Sequence, residues 1–138
     1  MRIVIDTNIF VSSFFGGIPR RIVEHWFSGR VHLCVSRPIL KEYLEGLGRF
    51  QFHREDLFRR LFTAFEKGPN VLFVDSPKEQ NWIEEDPGDN KFVACAIALH
   101  AEYIVSENSH LRDAGVIGGV EIVSAREMVG LIETEVVA

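Results

Sequence analysis

Five short segments rich in β-branched residues recur along the chain and constrain its fold more than any other feature. They are RIVI at 2–5, VHLCV at 31–35, VLFV at 71–74, YIVS at 103–106 and VEIV at 120–123. Their apolar residues scarcely alternate with polar ones, which is typical of strands buried on both faces. Helical stretches separate them, and no Asn-Gly hairpin signal joins them. The pattern predicts a three-layer α/β/α sandwich with a mostly parallel central sheet of roughly five strands.

The intervening stretches carry helix signals. Pro19 is suited to a first turn, Ser36 to an N-cap, and Ser124 with Glu127 to a capping box. We expect five helices, which run from Pro19 to Gly29, from Ser36 past Leu47, from about His53 to Lys67, from Pro87 or Asp89 to His100, and from Ser124 onward.

Length and charge limit the classes of protein. The 138 residues suit a single domain over 1–138. A net charge of -5 argues against a generic nucleic-acid binder with a basic surface. The charge is uneven, because residues 19–67 hold ten Lys/Arg against six acids (+4) and the rest holds five against fourteen (-9). The basic part is either a set of solvated helix faces or a track for a polyanion.

No segment suggests export or a membrane. The longest apolar run, FVACAIAL at 92–99, is far shorter than the ~20 residues that span a bilayer, and no signal peptide is evident. Cys34 and Cys95 lie in apolar segments without metal-ligand spacing, so we expect neither a disulfide nor a thiolate site. These features predict a cytoplasmic protein that does not associate with membranes.

Polar residues follow two of the predicted strands. Asp6 comes directly after the first strand and Asn108 shortly after the fourth. Ligands of open α/β sheets bind outside the carboxyl ends of the strands, so both residues should lie at the binding edge. A buried carboxylate there must be paired, hydrogen-bonded or bound to a cation. Asp6 could therefore form a turn, cap a helix or belong to a site.

Two further acids belong with Asp6. Glu42 lies within the predicted second helix, and Asp89 lies at the start of the fourth. Each also has a purely structural interpretation, since Glu42 could be a surface residue and Asp89 a first-turn acid favoured by the helix dipole. The placement of acids at one edge of the predicted sheet favours a shared site.

The segments VIDTNIFVSS, SRPILKEYLE and DPGDNKFVACAIALHAEYIVSENSHL resemble the PIN-domain ribonucleases over nearly the whole chain. The resemblance is to the small bacterial and archaeal group that includes toxins of toxin-antitoxin pairs, and it implies a PIN-like fold. It implies that Asp6, Glu42 and Asp89 are catalytic and bind Mg²⁺ or Mn²⁺, with Asn108 as a further ligand. Thr7, Asn8 and Ser106 would support the acids.

The sequence departs from the family pattern after the fourth strand. Asn108 stands where the family usually has an acid, and His110 also stands where an acid is common. An amide oxygen can still bind Mg²⁺ but adds no negative charge. Glu107 or Asp86 are candidates for compensation, although neither matches the usual position.

The resemblance implies metal-dependent hydrolysis of RNA, with Asp89 as a candidate to accept a proton. The acids repel phosphate, so a basic rim is needed. It could be formed by Arg20, Arg21, Arg37, Lys41 and Lys91. Expected partners are an RNA substrate, an antitoxin protein and a second copy in a homodimer. The Phe-rich stripe from Leu57 to Phe65, with Phe50 and Phe52 before it, is either core or a surface for such association.

Two other functions stay open. A phosphatase with an Asp nucleophile would need a second acid where Asn8 stands. A catalytically weakened or silent PIN module that binds RNA or a partner protein would account for Asn108.

Overall fold

The computed structural model describes residues 1–49 and 55–137, and within them a six-stranded sheet. Its strands run in the order β3-β2-β1-β4-β6-β5, and every neighbouring pair is parallel except β5 with β6. They are β1 (Arg2–Ile5), β2 (His32–Ser36), β3 (Val71–Val74), β4 (Tyr103–Val105), β5 (Val116–Ile117) and β6 (Val120–Val123). The predicted α/β architecture with a mostly parallel sheet is confirmed.

The additional strand is the two-residue β5, which forms a hairpin with β6. Gly118 and Gly119 join the two strands with φ values of 58° and 84°. Two successive positive φ angles suit a tight hairpin turn, and glycine adopts them without strain. This strand was not predicted, because only Asn-Gly was taken as a hairpin signal, whereas the turn is formed by Gly-Gly.

Seven helices surround the sheet in the described part of the chain. They are α1 (Thr7–Ser12), α2 (Gly17–Phe27), α3 (Arg37–Gly48), α4 (Glu55–Lys67), α5 (Asn90–Ala98), α6 (Ser109–Ala114) and α7 (Ala125–Val137). Short 3₁₀ turns at Ser13–Phe15 and Pro87–Asp89 precede α2 and α5. The six-residue helices α1 and α6 were not predicted. Phe50, Phe52 and His53 lie outside the described residues, as do the side chains of Leu57 and Phe58.

The predicted helix caps are present. Ser36 Oγ accepts the Ile39 N–H at the start of α3. Ser124 Oγ accepts the Glu127 N–H, and Glu127 Oε1 accepts the Ser124 N–H, which completes the capping box of α7.

The core lies on both faces of the sheet. The three apolar residues of β1 are fully buried, and α5 packs against β1, β2 and β4. Trp26, Tyr43 and Phe10 are the largest buried side chains near α1, α2 and α3. Cys34 and Cys95 are buried and not disulfide-bonded. None of the helices in the described part of the chain is long and apolar enough to cross a bilayer.

The strand order places a switch point beside β1. The chain passes from β1 to β2 on one side, and β4 later pairs with the other side of β1. Connections leave the sheet in opposite directions at such a point, so a crevice opens between the carboxyl ends of the two strands. Here those ends are Ile5 and Val105, followed by Asp6 and Ser106.

Candidate active site at the carboxyl edge of the sheet

Asp6 and Ser106 meet at the switch point. Ser106 Oγ donates a hydrogen bond to Asp6 Oδ2 at 2.6 Å, and the Asp6 N–H donates to Val105 O at 3.0 Å. Both side chains are buried. Ser106 Oγ also accepts the Asn108 N–H at 2.9 Å, which fixes the hydroxyl between the two loops. The parallel pairing of β1 with β4 therefore holds the carboxylate in one orientation.

Asp6 also caps a helix. Its backbone is extended, and Oδ1 accepts the Asn8 N–H at 3.4 Å at the start of α1. One carboxylate oxygen thus serves the cap while the other faces Ser106. Of the alternatives considered from the sequence, the structure thus shows the helix cap, and the second carboxylate oxygen remains at the switch point. Asn8 contributes its backbone to this contact, and its side chain is exposed.

Glu42 joins the site from α3. Thr7 Oγ1 donates a hydrogen bond to Glu42 Oε2, and Lys91 Nζ lies 2.6 Å from Glu42 Oε1. The Glu42 and Lys91 side chains are partly buried, so water screens their charges less than it would at the surface. Thr7 and Lys91 therefore contact different oxygens of the same carboxylate.

The close approach of α1 to α3 makes the Thr7 contact possible. Gly46 is buried in α3, and a Cβ built on it would lie 3.1 Å from both Thr7 Cγ2 and Val11 Cγ2. Such distances are tighter than ordinary side-chain contacts, so the absence of a side chain lets the two helices pack at this separation.

Asp89 and Asn108 form a second contact across the site. Asn108 Nδ2 donates to Asp89 Oδ2 at 2.9 Å, and Asn108 Oδ1 accepts the His110 N–H as the cap of α6. Asn108 therefore presents its amide nitrogen to Asp89 and uses its oxygen for the helix. His110 is exposed and takes part through its backbone.

Electrostatic repulsion links the acids. Burial raises the pKa of Asp89 to about 7, with smaller contributions from Asp86, Asp6 and Glu42 that outweigh the opposing effect of Lys91. Burial also raises the pKa of Asp6, against the hydrogen bond from Ser106. Asp6 and Asp89 are thus harder to ionise than in water, and a nearby cation would relieve the conflict.

Asp86, a candidate for compensation, lies close enough to Asp89 to raise its pKa. It precedes the 3₁₀ turn, and its carbonyl accepts the Asp89 N–H at 3.0 Å. Asn90 Oδ1 fixes the same loop by accepting the Ile83 N–H at 2.9 Å. Glu107, the other candidate for compensation, caps α7 through the Ala125 N–H. The sequence signal for a role of Asp86 was its position three residues before Asp89, with Pro87 and Gly88 between them.

The predicted basic rim is mostly engaged elsewhere. Arg20 donates from Nε to Ser13 O at 2.5 Å and from Nη2 to Phe14 O at 3.1 Å, so it holds the turn after α1. Arg21 pairs with Glu133 of α7. These two side chains were placed on the rim by their position in sequence, which does not determine the direction in which a side chain points.

Arg37 and Lys41 lie on α3, which starts at the carboxyl end of β2. Arg37 Nη2 lies 2.6 Å from Asp75 Oδ1, and both side chains are largely exposed. Lys41 is exposed one residue before Glu42. Lys91 is bound to Glu42. Arg37 and Lys41 are therefore the members of the predicted rim that lie near this edge and outside the acid cluster.

The donor set fits a hard divalent cation, although the side chains are not gathered around one point. Among residues 1–49 and 59–134, no three side chains of His, Cys, Asp and Glu converge as a ready metal-binding group. The Lys91 ammonium contacts one oxygen of Glu42, and the Asn108 amide donates a hydrogen bond to one oxygen of Asp89. Carboxylate oxygens are nonetheless the ligands that Mg²⁺ and Mn²⁺ prefer, and Asp6, Glu42 and Asp89 supply them.

Comparison with known proteins identifies the family of the chain. A search of curated proteins finds no match. A family model described as PIN domain matches residues 2–110. The matched range includes β1 to β4 and the residues Asp6, Glu42, Asp86, Asp89, Ser106 and Asn108. The chain therefore belongs to the PIN domain family, whose members are generally nucleases.

Proposed function

We propose that the protein is a metal-dependent endoribonuclease that hydrolyses phosphodiester bonds of RNA at the cluster of Asp6, Glu42 and Asp89. The observation that carries the proposal is the raised pKa of Asp6 and Asp89 in a cluster at the switch point of a nuclease-family fold. Mutually repelling buried acids destabilise a fold, and their presence is understandable where a cation binds between them.

Asp6, Glu42 and Asp89 would hold Mg²⁺ or Mn²⁺, and Asp86 lies close enough to Asp89 to add negative charge. The cation would activate water and neutralise charge on the phosphate. Ser106 and Thr7 keep Asp6 and Glu42 in place through hydrogen bonds. Asp89, whose partner Asn108 is neutral, would accept the proton of the attacking water.

Lys91 would have one role in the absence of a divalent ion and another when the ion and the substrate are bound. Without a divalent ion its ammonium compensates Glu42. When an ion binds, the same ammonium is close enough to the acids to contact a phosphate oxygen of the substrate. Lys91 thus keeps the predicted role in substrate binding from a position inside the cluster.

A catalytically weakened or silent PIN module is the second candidate function. It is favoured by Asn108, whose oxygen caps α6 and whose nitrogen engages Asp89. An amide in this orientation repels a cation instead of binding it.

We further propose that the protein is the toxin of a toxin-antitoxin pair, with an antitoxin helix or a second copy as partner. The supporting observation is an apolar groove of about 170 Å³ between α3 and α4. Leu44 and Phe62 border it with 60% and 56% of their surface exposed. Exposed apolar surface of this kind often marks an interaction site. Light scattering, alone and with the protein encoded by a neighbouring reading frame, tests this proposal.

One experiment separates the nuclease from the silent module. Purified protein is incubated with single-stranded and structured RNA in Mn²⁺ or Mg²⁺, beside Asp6→Asn and Asp89→Asn. The nuclease predicts cleavage that EDTA and either substitution abolish. Equal cleavage by mutant and wild type would contradict the site assignment. If all three are inert and Asn108→Asp gains metal binding and activity, the silent module is the better description.

A further inference from the structure

A pocket lies at the amino edge of the sheet, on the side opposite to Asp6. It has a volume of about 490 Å³ and opens between the end of α2, helix α4 and the segment that leads into β3. Asn70 in this segment accepts the Leu33 N–H through its carbonyl, which places the pocket where β2 and β3 begin. Strands rise by about 3.3 Å per residue, so the four residues of β3 separate this edge from the carboxyl edge by roughly 13 Å. A small ligand in this pocket would therefore not touch the acid cluster.

One wall of the pocket is a guanidinium plane in a fixed orientation. Arg60 Nη1 and Nη2 donate to the two oxygens of Glu24 at 2.9 Å and 2.6 Å, and the guanidinium carbon lies 4.5 Å from the centre of the Phe27 ring. The carboxylate compensates the charge and orients the plane, while the ring covers one of its faces. Arg60 lines the pocket and its side chain is 46% exposed, so the other face can receive a planar ligand. Guanidinium planes stack on nucleic-acid bases in this way.

Two cations and a hydroxyl lie beside this plane on one stripe of α4. Arg59, Thr63 and Lys67 all line the pocket and are four residues apart, so successive members are about 6 Å apart along the helix axis. The two long side chains can therefore reach towards the Thr63 hydroxyl from opposite directions. Both cations are exposed, and within the part of the chain that the structure describes neither forms a salt bridge. Such a set of donors suits a phosphate group.

We propose that this pocket, which we call the α4 pocket, binds a nucleoside monophosphate. The base stacks on the exposed face of the Arg60 guanidinium, and the phosphate is bound by Arg59, Thr63 and Lys67. The volume lies within the range of about 300–1,000 Å³ that is typical of small-molecule pockets. The same chemistry is offered by a free nucleotide and by the phosphorylated end of a strand. The α4 pocket is separate from the acid cluster and does not depend on the proposed nuclease activity.

Isothermal titration calorimetry of the full chain in EDTA tests the α4 pocket, with adenosine 5′-monophosphate as the probe. Without a divalent ion the acid cluster repels phosphate and does not compete for the probe. The parent should bind adenosine 5′-monophosphate more tightly than adenosine or inorganic phosphate, because each of these offers only part of the contacts. Arg59→Gln and Lys67→Gln should each weaken binding of the nucleotide by on the order of tenfold, the loss typical of a hydrogen bond to a charged group.

Arg60→Lys separates the stacking plane from the phosphate contacts. It keeps a positive charge beside Glu24 and removes the planar group. The affinity for adenosine 5′-monophosphate should therefore fall by on the order of tenfold, as expected for the loss of one stacked base, while the affinity for inorganic phosphate stays the same.

Matched controls remove cations from other parts of the surface. Arg126→Gln and Lys78→Gln each neutralise one exposed cation, and neither residue lines the α4 pocket. Both variants should bind the nucleotide as the parent does. Thermal unfolding of each variant checks that the fold is unchanged.

Tryptophan emission shows where the nucleotide binds. Trp26 lines the α4 pocket, whereas Trp82, the other tryptophan of the chain, does not. In Trp82→Phe protein, adenosine 5′-monophosphate should change the emission with the dissociation constant that calorimetry gives. A 5′-phosphorylated trinucleotide distinguishes the two sources of the ligand, since it should bind as well as the mononucleotide only if the pocket accepts the end of a strand.

Three results would overturn the α4 pocket. They are no binding of adenosine 5′-monophosphate by the parent, binding that Arg59→Gln and Lys67→Gln both leave unchanged, and a loss in Arg126→Gln as large as in these two variants.

Discussion

Asn108 donates its amide hydrogen to Asp89 Oδ2 at 2.9 Å while its oxygen caps α6. The residue that departs from the family pattern therefore contacts Asp89 directly, and it turns its donor nitrogen, not its oxygen, toward that acid. Because its amide stabilises Asp89 by a hydrogen bond, the substitution by Asp has opposite consequences with and without a cation.

Asn108→Asp should lower stability in EDTA and increase the stabilisation by Mn²⁺. The new carboxylate would face Asp89 at hydrogen-bonding distance, and like charges at that distance repel. A cation that binds the folded state raises its apparent stability in proportion to affinity and concentration. Thermal unfolding in EDTA and in a series of Mn²⁺ concentrations measures both effects. Ser109→Asp adds the same charge at an exposed position and should show neither effect.

Removal of the Lys91 ammonium should destabilise the protein when no divalent ion is present. Lys91→Met leaves Glu42 without its ion pair beside Asp6 and Asp89, and the loss of one partner of a partly buried pair costs about 1–3 kcal/mol. Urea unfolding in EDTA measures this cost. The double variant with Glu42→Gln should recover most of the stability, whereas an additive loss in the double variant would show that the pair is not coupled.

Asp89 should make the apoprotein less stable as pH rises from about 4 to about 7. Its pKa is about 7 in the folded protein and near 3.8 when unfolded, so over this range the unfolded chain has released a proton that the folded chain retains. Asp89→Asn lacks this dependence and should be the more stable protein in EDTA at about pH 8, with little difference near pH 4. Urea unfolding at both pH values gives the difference. A constant difference would contradict the raised pKa.

Gly46→Ala should damage the site through the packing of α1 on α3. The added methyl would lie 3.1 Å from Thr7 Cγ2 and Val11 Cγ2, and such overpacking costs about 1–3 kcal/mol. The helices would have to separate, which weakens the bond from Thr7 to Glu42 and should reduce RNA cleavage. Gly48→Ala, in the same helix with nothing within 4 Å of the new Cβ, should keep both stability and activity.

The sheet was predictable because it follows from local sequence, and the site acids were assigned from their places at its edge and from the resemblance to the PIN domain family. Strands buried on both faces need continuous apolar runs, and parallel strands bring their carboxyl ends to one edge. Asp6 and Asn108 could therefore be assigned to the same edge although about a hundred residues separate them. What could not be predicted was the orientation of the Asn108 amide, since it depends on the unpredicted helix α6.

The missed elements and the unexpected contacts of the predicted rim residues have a common cause. The six residues of α1 are too few for a helix to be stable alone, and Asp6 and the packing against α3 hold them. Arg20 and Lys91 were assigned to a rim from their sequence positions, but tertiary contacts direct one to backbone carbonyls and the other to Glu42. Such contacts join residues that are distant in sequence and leave no local signal.

The most direct test of the central claim is the initial rate of RNA cleavage as a function of Mn²⁺ concentration for wild type, Asp6→Asn and Asp113→Asn. Asp6 lies buried at the switch point, whereas Asp113 is exposed on α6. Wild type and Asp113→Asn should cleave with the same saturable dependence on Mn²⁺, and Asp6→Asn should be inactive at every concentration. Cleavage by Asp6→Asn at the wild-type rate, or by wild type without a divalent ion, would show that Asp6 does not belong to a metal-dependent active site.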